Sequence, residues 1–336
     1  MELGASHFNG LNPISTKETI SYSSPLEITC GVPQSSVLGP LLFLLYINDI
    51  YRSSEILKFH LFADDTSIFY SAKDSQKMED SINHELKSLA IWLNANILTL
   101  NVSKSSFVVF HPPRKKVTPI KLIINNSHIP EKIHAKYLGV FIDKHLTWFH
   151  HIHQINTKLS RALGILSKLR HNLPLYLLKT VYHAFFKPHI DYCINIWTCT
   201  STTILEPIAI SMKKAIRIMT FNRYDAHTQP LFHNLNLLNF EQTINLNLGN
   251  LMWDIHQAQL PSCLLTALNT DIISKFQRKR KTTEKYKPLC RTKYKLHFLT
   301  TTGTTLWSSL PDIITQSKSK NIFKNRYKKY LLNLKQ

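Results

Sequence analysis

The apolar positions of this chain recur with a period near two in short runs of its first part, around one stripe at helical spacing, and with a period near 3.6 through its second part. Phe59-His60-Leu61-Phe62 and Thr66-Ser67-Ile68-Phe69-Tyr70 are short β-prone runs on either side of Ala63-Asp64-Asp65. The pattern predicts a hairpin with half-buried strands whose turn displays two adjacent carboxylates. Beyond it, Asp74 is placed to cap a helix, and Met78, Ile82, Leu86, Leu89 and Leu93 recur at helical spacing, so one face packs on a sheet. Leu98 to Leu100 and Phe107 to Phe110 read as strands around Asn101 and Lys104. His111 to Lys116 reads as a solvated loop. Ile120 to Ile124, the pair Asn125-Asn126 and a strand beginning near Tyr137 complete a β-rich segment.

Ahead of the hairpin the pattern is weaker. Residues 1–29, rich in Ser, Thr, Asn and Pro, read as loop with one strand at Leu26 to Thr29. Gly31-Val32-Pro33 marks a turn. Val37 to Tyr51 is apolar enough for a buried helix with Gly39-Pro40 in its first turn. After Asp143 the signal becomes helical. Ile152, Ile155, Leu159, Leu163, Leu166 and Leu169 form one stripe, with Lys158, Arg161, Lys168 and Arg170 off it. Pro174 ends that helix, and Leu175 to Phe186 begins another that should stop before Pro188. Residues 205–260 hold further amphipathic helices, including Met212 to Met219 with Lys213, Lys214 and Arg217. The fold class expected is α+β, a mixed first part followed by helices.

Composition narrows the classes of function. A hydrophobic fraction of 43% supports packed cores. With 8 glycines and neither GxGxxG nor GxxxxGK[ST], dinucleotide and P-loop phosphate binding are excluded. Five scattered cysteines form no C-x-x-C pair and no disulfide spacing, which points to reduced thiols inside the cell, in nucleus or cytoplasm. No apolar run reaches the ~18 residues that a membrane helix takes, and the first residues lack a signal-peptide pattern. The formal net charge is +20 and is uneven: from Lys275 onward, 17 Lys and Arg face only Glu284 and Asp312. A polyanion is the partner that such a tail implies.

Two kinds of side chain are candidates for chemistry. Asp64 and Asp65 repel one another unless a cation offsets them, and hard oxygen donors of this kind suit Mg²⁺. Taken alone the pair reads more readily as an ordinary acidic β-turn, since Asp favours turns on its own account. His150, His151 and His153 lack a Cys or Glu at ligand spacing and read as a surface helix start rather than a zinc site. Cys193 and Cys199 read as core thiols.

The neighbours of the hairpin decide between the readings of Asp64 and Asp65. Upstream stands Cys30-Gly31-Val32-Pro33-Gln34-Ser35-Ser36-Val37-Leu38-Gly39-Pro40-Leu41-Leu42-Phe43, then Tyr46-Ile47-Asn48-Asp49-Ile50. Downstream stand Trp92-Leu93-Asn94, Leu100-Asn101-Val102-Ser103-Lys104 and Lys136-Tyr137-Leu138-Gly139-Val140-Phe141-Ile142-Asp143. In this order they resemble the palm of reverse transcriptases from non-LTR retrotransposons of the jockey/LINE-like kind. The blocks Ala226 to Phe232 and Gly303 to Pro311 are also similar to such elements, so the resemblance spans about residues 24 to 336.

The resemblance implies an RNA-directed DNA polymerase: a palm of antiparallel sheet backed by helices, a helical thumb, and a basic helical C-terminal region. Their expected bounds are 29–145, 146–204 and 205–336, after an unassigned stretch 1–28. It implies Asp64 and Asp65 as ligands of Mg²⁺ or Mn²⁺ in two-metal nucleotidyl transfer, with Asp64 the principal ligand and Lys104 neutralising or protonating the leaving phosphate. Gln34, Ser35, Ser36 and Asn101 would line the nucleotide and template side, and Tyr137, Leu138, Gly139 and Val140 would grip the primer. Lys158, Arg161 and Lys168, with Arg278, Lys279, Arg280 and Lys281, would contact nucleic acid. The implied partners are an RNA template, a DNA primer and dNTPs, with no membrane.

Two departures from the family pattern stand out. Ser35 replaces a glycine in a tight turn, which Ser fits only with negative φ or some strain. Residues 1–29 contain no Asp, whereas the family's first palm motif carries a further catalytic aspartate and follows a fingers region. The expectation is a truncated or decayed product, catalytically impaired unless an upstream half supplies that motif, or else a nucleic-acid-binding remnant without catalysis.

Overall fold

A computed structural model describes residues 5–9, 11–13, 37–262, 264–265 and 299–334. The chain divides into two units, Met1–Thr147 and Trp148–Gln336.

In the first unit the hairpin forms as its pattern predicts. Strand β3 (Lys58–Phe62) pairs antiparallel with β4 (Asp65–Phe69), with β3 half-buried on alternate residues and the middle of β4 buried. The stretch expected to be loop contributes two strands instead, β1 (Ala5–Asn9) and β2 (Leu11–Pro13). β1 lies between β4 and β6 (Ser106–Val108), giving a sheet of order β3-β4-β1-β6. β2 pairs with β5 (Leu98–Leu100). No local periodicity marks β1, because its conformation comes from the two open strand edges it satisfies. The expected strand at Leu26 to Thr29 lies outside the described residues.

Helix α1 (Gly39–Ile47) starts at Gly39-Pro40 as expected, but it is not buried. Only Ile47 is fully enclosed, Phe43 leans on the core, and Leu45 is 68% exposed. The run then breaks into a 3₁₀ turn, Ile50–Ser53, rather than continuing to Tyr51 as helix. Its apolar residues surround the helix, so a single neighbouring surface covers one flank and leaves the rest in solvent. The Tyr46 hydroxyl donates to the Asn96 carbonyl and ties that flank to the end of α2.

Helix α2 (Ser75–Ala95) is the backing of the sheet. Asp74 caps it, its carboxylate accepting from the Gln76 N–H at 3.2 Å. Met78, Ile82, Leu86, Leu89 and Leu93 are all buried against Ile68, Phe107, Leu122, Ile124 and Ile129. Each such side chain contributes about 1.5–3 kcal/mol. Polar clamps set the angle of approach: Asn83 accepts from the Ile123 N–H at 2.9 Å and donates to the Lys121 carbonyl at 2.8 Å. Two further hairpins follow, β7 (Leu122–Ile124) with β8 (Ser127–Ile129), and β9 (His134–Tyr137) with β10 (Val140–Asp143).

The second unit is helical. Helix α3 (Phe149–Leu169) buries Ile152, Ile155, Leu159, Ala162 and Leu166 and leaves Lys158, Arg161 and Lys168 exposed. α4 (Leu175–Val181) begins after Pro174 but does not stop before Pro188. It widens into a π turn at Tyr182–Phe186 and continues as α5 (Lys187–Asp191). The wide turn shifts the hydrogen-bond ladder, so the proline falls in the first turn of a new segment, where its missing N–H is tolerated.

Next come α6 (Ile194–Trp197), α7 (Thr202–Met219), α8 (Thr228–Asn234) and α9 (Phe240–His256). α7 packs on α3, where the Ser211 hydroxyl donates to Asn156 at 2.7 Å. The last described helices are α10 (Leu299–Ser309), α11 (Asp312–Thr315) and α12 (Lys320–Asn333). α9, α10 and α12 enclose Trp253, Trp307, Phe323 and Tyr327, with Trp307 stacked on Phe323 at 5.6 Å. No helix among the described residues is long and apolar enough to cross a membrane.

Two glycines give a paired test of this packing. A Cβ on Gly249 would fall 2.5 Å from the buried Tyr327 ring, whereas one on Gly164 would meet nothing within 4 Å. Gly164→Ala should raise stability by about 0.5–1 kcal/mol through helix propensity. Gly249→Ala should lower it by about 1–2 kcal/mol, because overpacking outweighs the same gain. Denaturant midpoints of the two variants check both signs.

Candidate active site

The register Phe62↔Asp65 leaves Ala63 and Asp64 to reverse the chain. Ala63 has φ 51°, a left-handed value that matches the twist of a tight hairpin but strains a residue with a Cβ. The turn therefore thrusts Asp64 into solvent and begins β4 with a half-buried Asp65.

The pairing of β1 brings a second turn to the same end of the sheet. β1 matches Asn9 to Asp65 on one side and His7 to Ser106 on the other. Because β4 and β6 both run antiparallel to β1, the turn preceding β6 lies at the Asp65 end. That turn is the 3₁₀ segment Val102–Lys104, capped by Asn101, whose side chain accepts from the Lys104 N–H at 3.3 Å and the Ser103 hydroxyl at 2.6 Å. Lys104 is exposed. With strands about 4.8 Å apart, β1 separates the acidic and basic turns by roughly 10 Å. The strand beside Asp65, Ala5 to Asn9, contains no acidic residue.

Tyr137, Leu138, Gly139 and Val140 form the tip of the β9–β10 hairpin. Leu138 (φ 44°) and Gly139 (φ 83°) make a two-residue turn with both φ positive, which glycine accepts freely and leucine does not. Backbone bonds attach the segment before this hairpin to β6, from the Phe107 N–H to the Pro130 carbonyl at 3.1 Å and from the Lys132 N–H to the Phe107 carbonyl at 2.8 Å. Asp143 serves the backbone, since its carboxylate accepts from the Thr147 N–H and hydroxyl, both at 3.0 Å. Gln34, Ser35 and Ser36, and Arg278 to Lys281, lie outside the described residues.

Mg²⁺ is often held through one or two carboxylates, with water and substrate phosphates completing its shell. An exposed Asp64 next to Asp65 on a projecting turn fits that role for one ion. Among the described residues, no group of three or more His, Cys, Asp or Glu gathers as a metal cage.

The histidines after Thr147 do not form the surface cluster that their spacing suggests. His153 is exposed, but His151 is buried beside Trp197, ring centroids 6.1 Å apart. Burial, with the nearby Lys158 and His150, pushes its pKa down to about 4. Cys193 and Cys199 are half-buried and free, and burial pushes the Cys199 thiol up to about 11, so neither is poised as a nucleophile. Sequence reasoning missed β1, whose contribution is its position between two turns and which no residue type announces.

Comparison with known proteins shows what the chain is similar to. Residues 10–142 match the reverse transcriptase (RNA-dependent DNA polymerase) family. Among curated relatives, the chain is 29% identical over 231 residues to the probable RNA-directed DNA polymerase from transposon X-element of Drosophila melanogaster, covering 66% of this chain and 25% of that protein. It is 28% identical over 237 residues to the one from transposon BS of the same species, covering 67% and 26%. It is 25% identical over 206 residues to the RNA-directed DNA polymerase from mobile element jockey of Drosophila funebris, covering 58% and 22%. The chain thus spans about a quarter of the length of these relatives. No solved structure matches it significantly.

The local chemistry of the turn and of the buried imidazole can each be tested. Ala63→Gly should stabilise the first unit by about 0.5–1 kcal/mol, since relief of the left-handed strain exceeds the added unfolded-state entropy; thermal melting reads it. For His151 the folded pKa lies below the ordinary 6.5, so its contribution is present above pH 6.5 and is lost as pH falls toward 4. The loss should total about 3 kcal/mol, and His151→Phe should flatten the pH dependence over that window.

Proposed function

Because the chain is related to the reverse transcriptases of non-LTR retrotransposons, we propose that it is part of an RNA-directed DNA polymerase whose catalytic turn is Asp64-Asp65. Residues 29–145 are then the palm, 146–204 the thumb and 205–336 a basic region that holds nucleic acid. The observation that carries the reading is the juxtaposition of the Asp64-Asp65 turn with the Asn101–Lys104 turn at one end of a sheet.

In this role Asp64 is the principal ligand of the divalent ion and Asp65 sets the turn's position from its half-buried place at the head of β4. A bound Mg²⁺ supplies charge neutralisation at the phosphates of the incoming nucleotide. Lys104, exposed across β1, offsets charge on the leaving phosphate. Gln34, Ser35 and Ser36 contact the nucleotide and template, and Tyr137 to Val140 support the primer at the tip of a strained hairpin. RNA template, DNA primer and dNTPs are the corresponding partners.

The same geometry argues for weak catalysis by the chain alone. Phosphoryl transfer of this type depends on positioning and on electrostatics, and β1 places Asn9, not a carboxylate, opposite Asp65. The second reading, nucleic-acid binding without synthesis, is favoured by the exposed cations Lys158, Arg161 and Lys168 on α3.

Primer extension separates the readings. The chain with Mg²⁺, dNTPs and a primed RNA should extend at background level. An upstream polypeptide carrying the first palm motif should raise extension by orders of magnitude, and Asp64→Asn should abolish that gain. Extension by the chain alone would overturn the claim of weak catalysis. No extension in the presence of the upstream polypeptide would leave the binding reading.

A further inference from the structure

Two imidazoles of the first unit, away from the acidic turn, are held edge to face. His111 follows β6 and His145 follows β10. Their ring centroids are 4.7 Å apart at an interplanar angle of 85°. The two segments run side by side, the His111 N–H donating to the Lys144 carbonyl at 3.1 Å and the Lys144 N–H to the Ile133 carbonyl at 2.9 Å. Both histidines are half-buried, so each ring is fixed in place yet reachable from solvent.

Hydrogen bonds decide which ring nitrogen is available. His145 Nδ1 lies 2.9 Å from the His111 carbonyl oxygen, and His111 Nδ1 lies 3.0 Å from the Pro112 carbonyl oxygen. A carbonyl oxygen only accepts, so each Nδ1 carries the proton and donates it. In the neutral rings the lone pair then belongs to Nε2 of both. One nitrogen tied to a backbone carbonyl and the other bare is the usual state of a metal-ligating histidine.

The spacing agrees with a shared ion. With metal–nitrogen bonds of about 2.0 Å and ring centres about 1.1 Å behind each nitrogen, two rings on one ion stand roughly 4.4–5.2 Å apart for angles at the metal between about 90° and about 109°. Ordinary edge-to-face packing reaches the same separation, so the matched Nδ1 anchoring, rather than the contact, singles the pair out.

We propose that His111 and His145 bind one borderline transition-metal ion of the Zn²⁺ kind through their Nε2 atoms, with water completing its shell. The site differs in chemistry from the Asp64-Asp65 turn. Imidazole suits Zn²⁺, Cu²⁺ and Ni²⁺, whereas Mg²⁺ takes oxygen donors. Lys144 and Arg114 stand next to it in the chain, so charge alone attracts no hard cation here. The ion staples the segment leaving β6 to the segment leaving β10, and so fastens the hairpin tipped by Leu138-Gly139 to the sheet that bears Asp64.

Zn²⁺ binding by the full chain is measured by calorimetry, beside thermal melting with and without the ion. Asparagine is the informative replacement, because its amide N–H stands where Nδ1–H stood and nothing replaces Nε2. His111→Asn and His145→Asn should each melt near the original temperature without metal. Each should weaken Zn²⁺ binding at least about tenfold and lose the Zn²⁺-dependent rise in melting temperature. His150→Asn with His153→Asn, which removes the closely spaced histidines of α3, should keep both. Excess Mg²⁺ should not displace the Zn²⁺. A second reading does not depend on replacing His111 or His145: Cu²⁺ bound to the chain that carries His150→Asn and His153→Asn should show coupling to two nitrogens in its electron paramagnetic resonance spectrum. That spectrum decides the matter if either of the other variants melts low without metal. Absence of Zn²⁺ binding, a loss in just one of the two single variants, a loss in the α3 variant instead, displacement by Mg²⁺, or coupling to a single nitrogen each overturns the proposal.

Discussion

Closing β3 onto β4 with only two residues is the constraint on which the first unit depends. It forces Ala63 into a left-handed conformation, sets Asp64 at the apex and makes Asp65 the first residue of a buried strand. A hairpin alone is marginal in water. This one persists because α2 presses Met78, Ile82, Leu86, Leu89 and Leu93 against the sheet and because β1 covers the free edge of β4. Two carboxylates can then be displayed together without dragging a charge into the core.

Close approach governs the second unit in the same way. At Gly249 the absence of a side chain lets the Tyr327 ring lie against α9, and around that contact Trp253, Trp307 and Phe323 stack into the junction of three helices. The π turn at Tyr182–Phe186 accommodates Pro188 and keeps one helical run going from Leu175 to Asp191.

The two units divide their charges differently. The first shows an acidic turn and one exposed lysine at the end of a sheet, a pattern suited to a cation and a phosphate in small space. The second shows cations on helical faces, on α3 and along α12, a pattern suited to an extended polyanion.

What the sequence determined was whatever depends on neighbours in the chain. Period two around Asp64, the Asp74 cap, the α2 stripe, the α3 stripe with Lys158, Arg161 and Lys168 off it, and the motif order that resembles a reverse transcriptase palm were all legible residue by residue. Tertiary structure decided the rest. β1 is a strand because β4 and β6 offer it open edges, and Ala5 to Asn9 carry no periodicity that says so. α1 is apolar all round, which spells burial locally, yet among the described residues only one flank finds a neighbour and Leu45 is exposed. His151 looks like its exposed neighbour His153 in the sequence and differs only because Trp197, 46 residues away, closes over it.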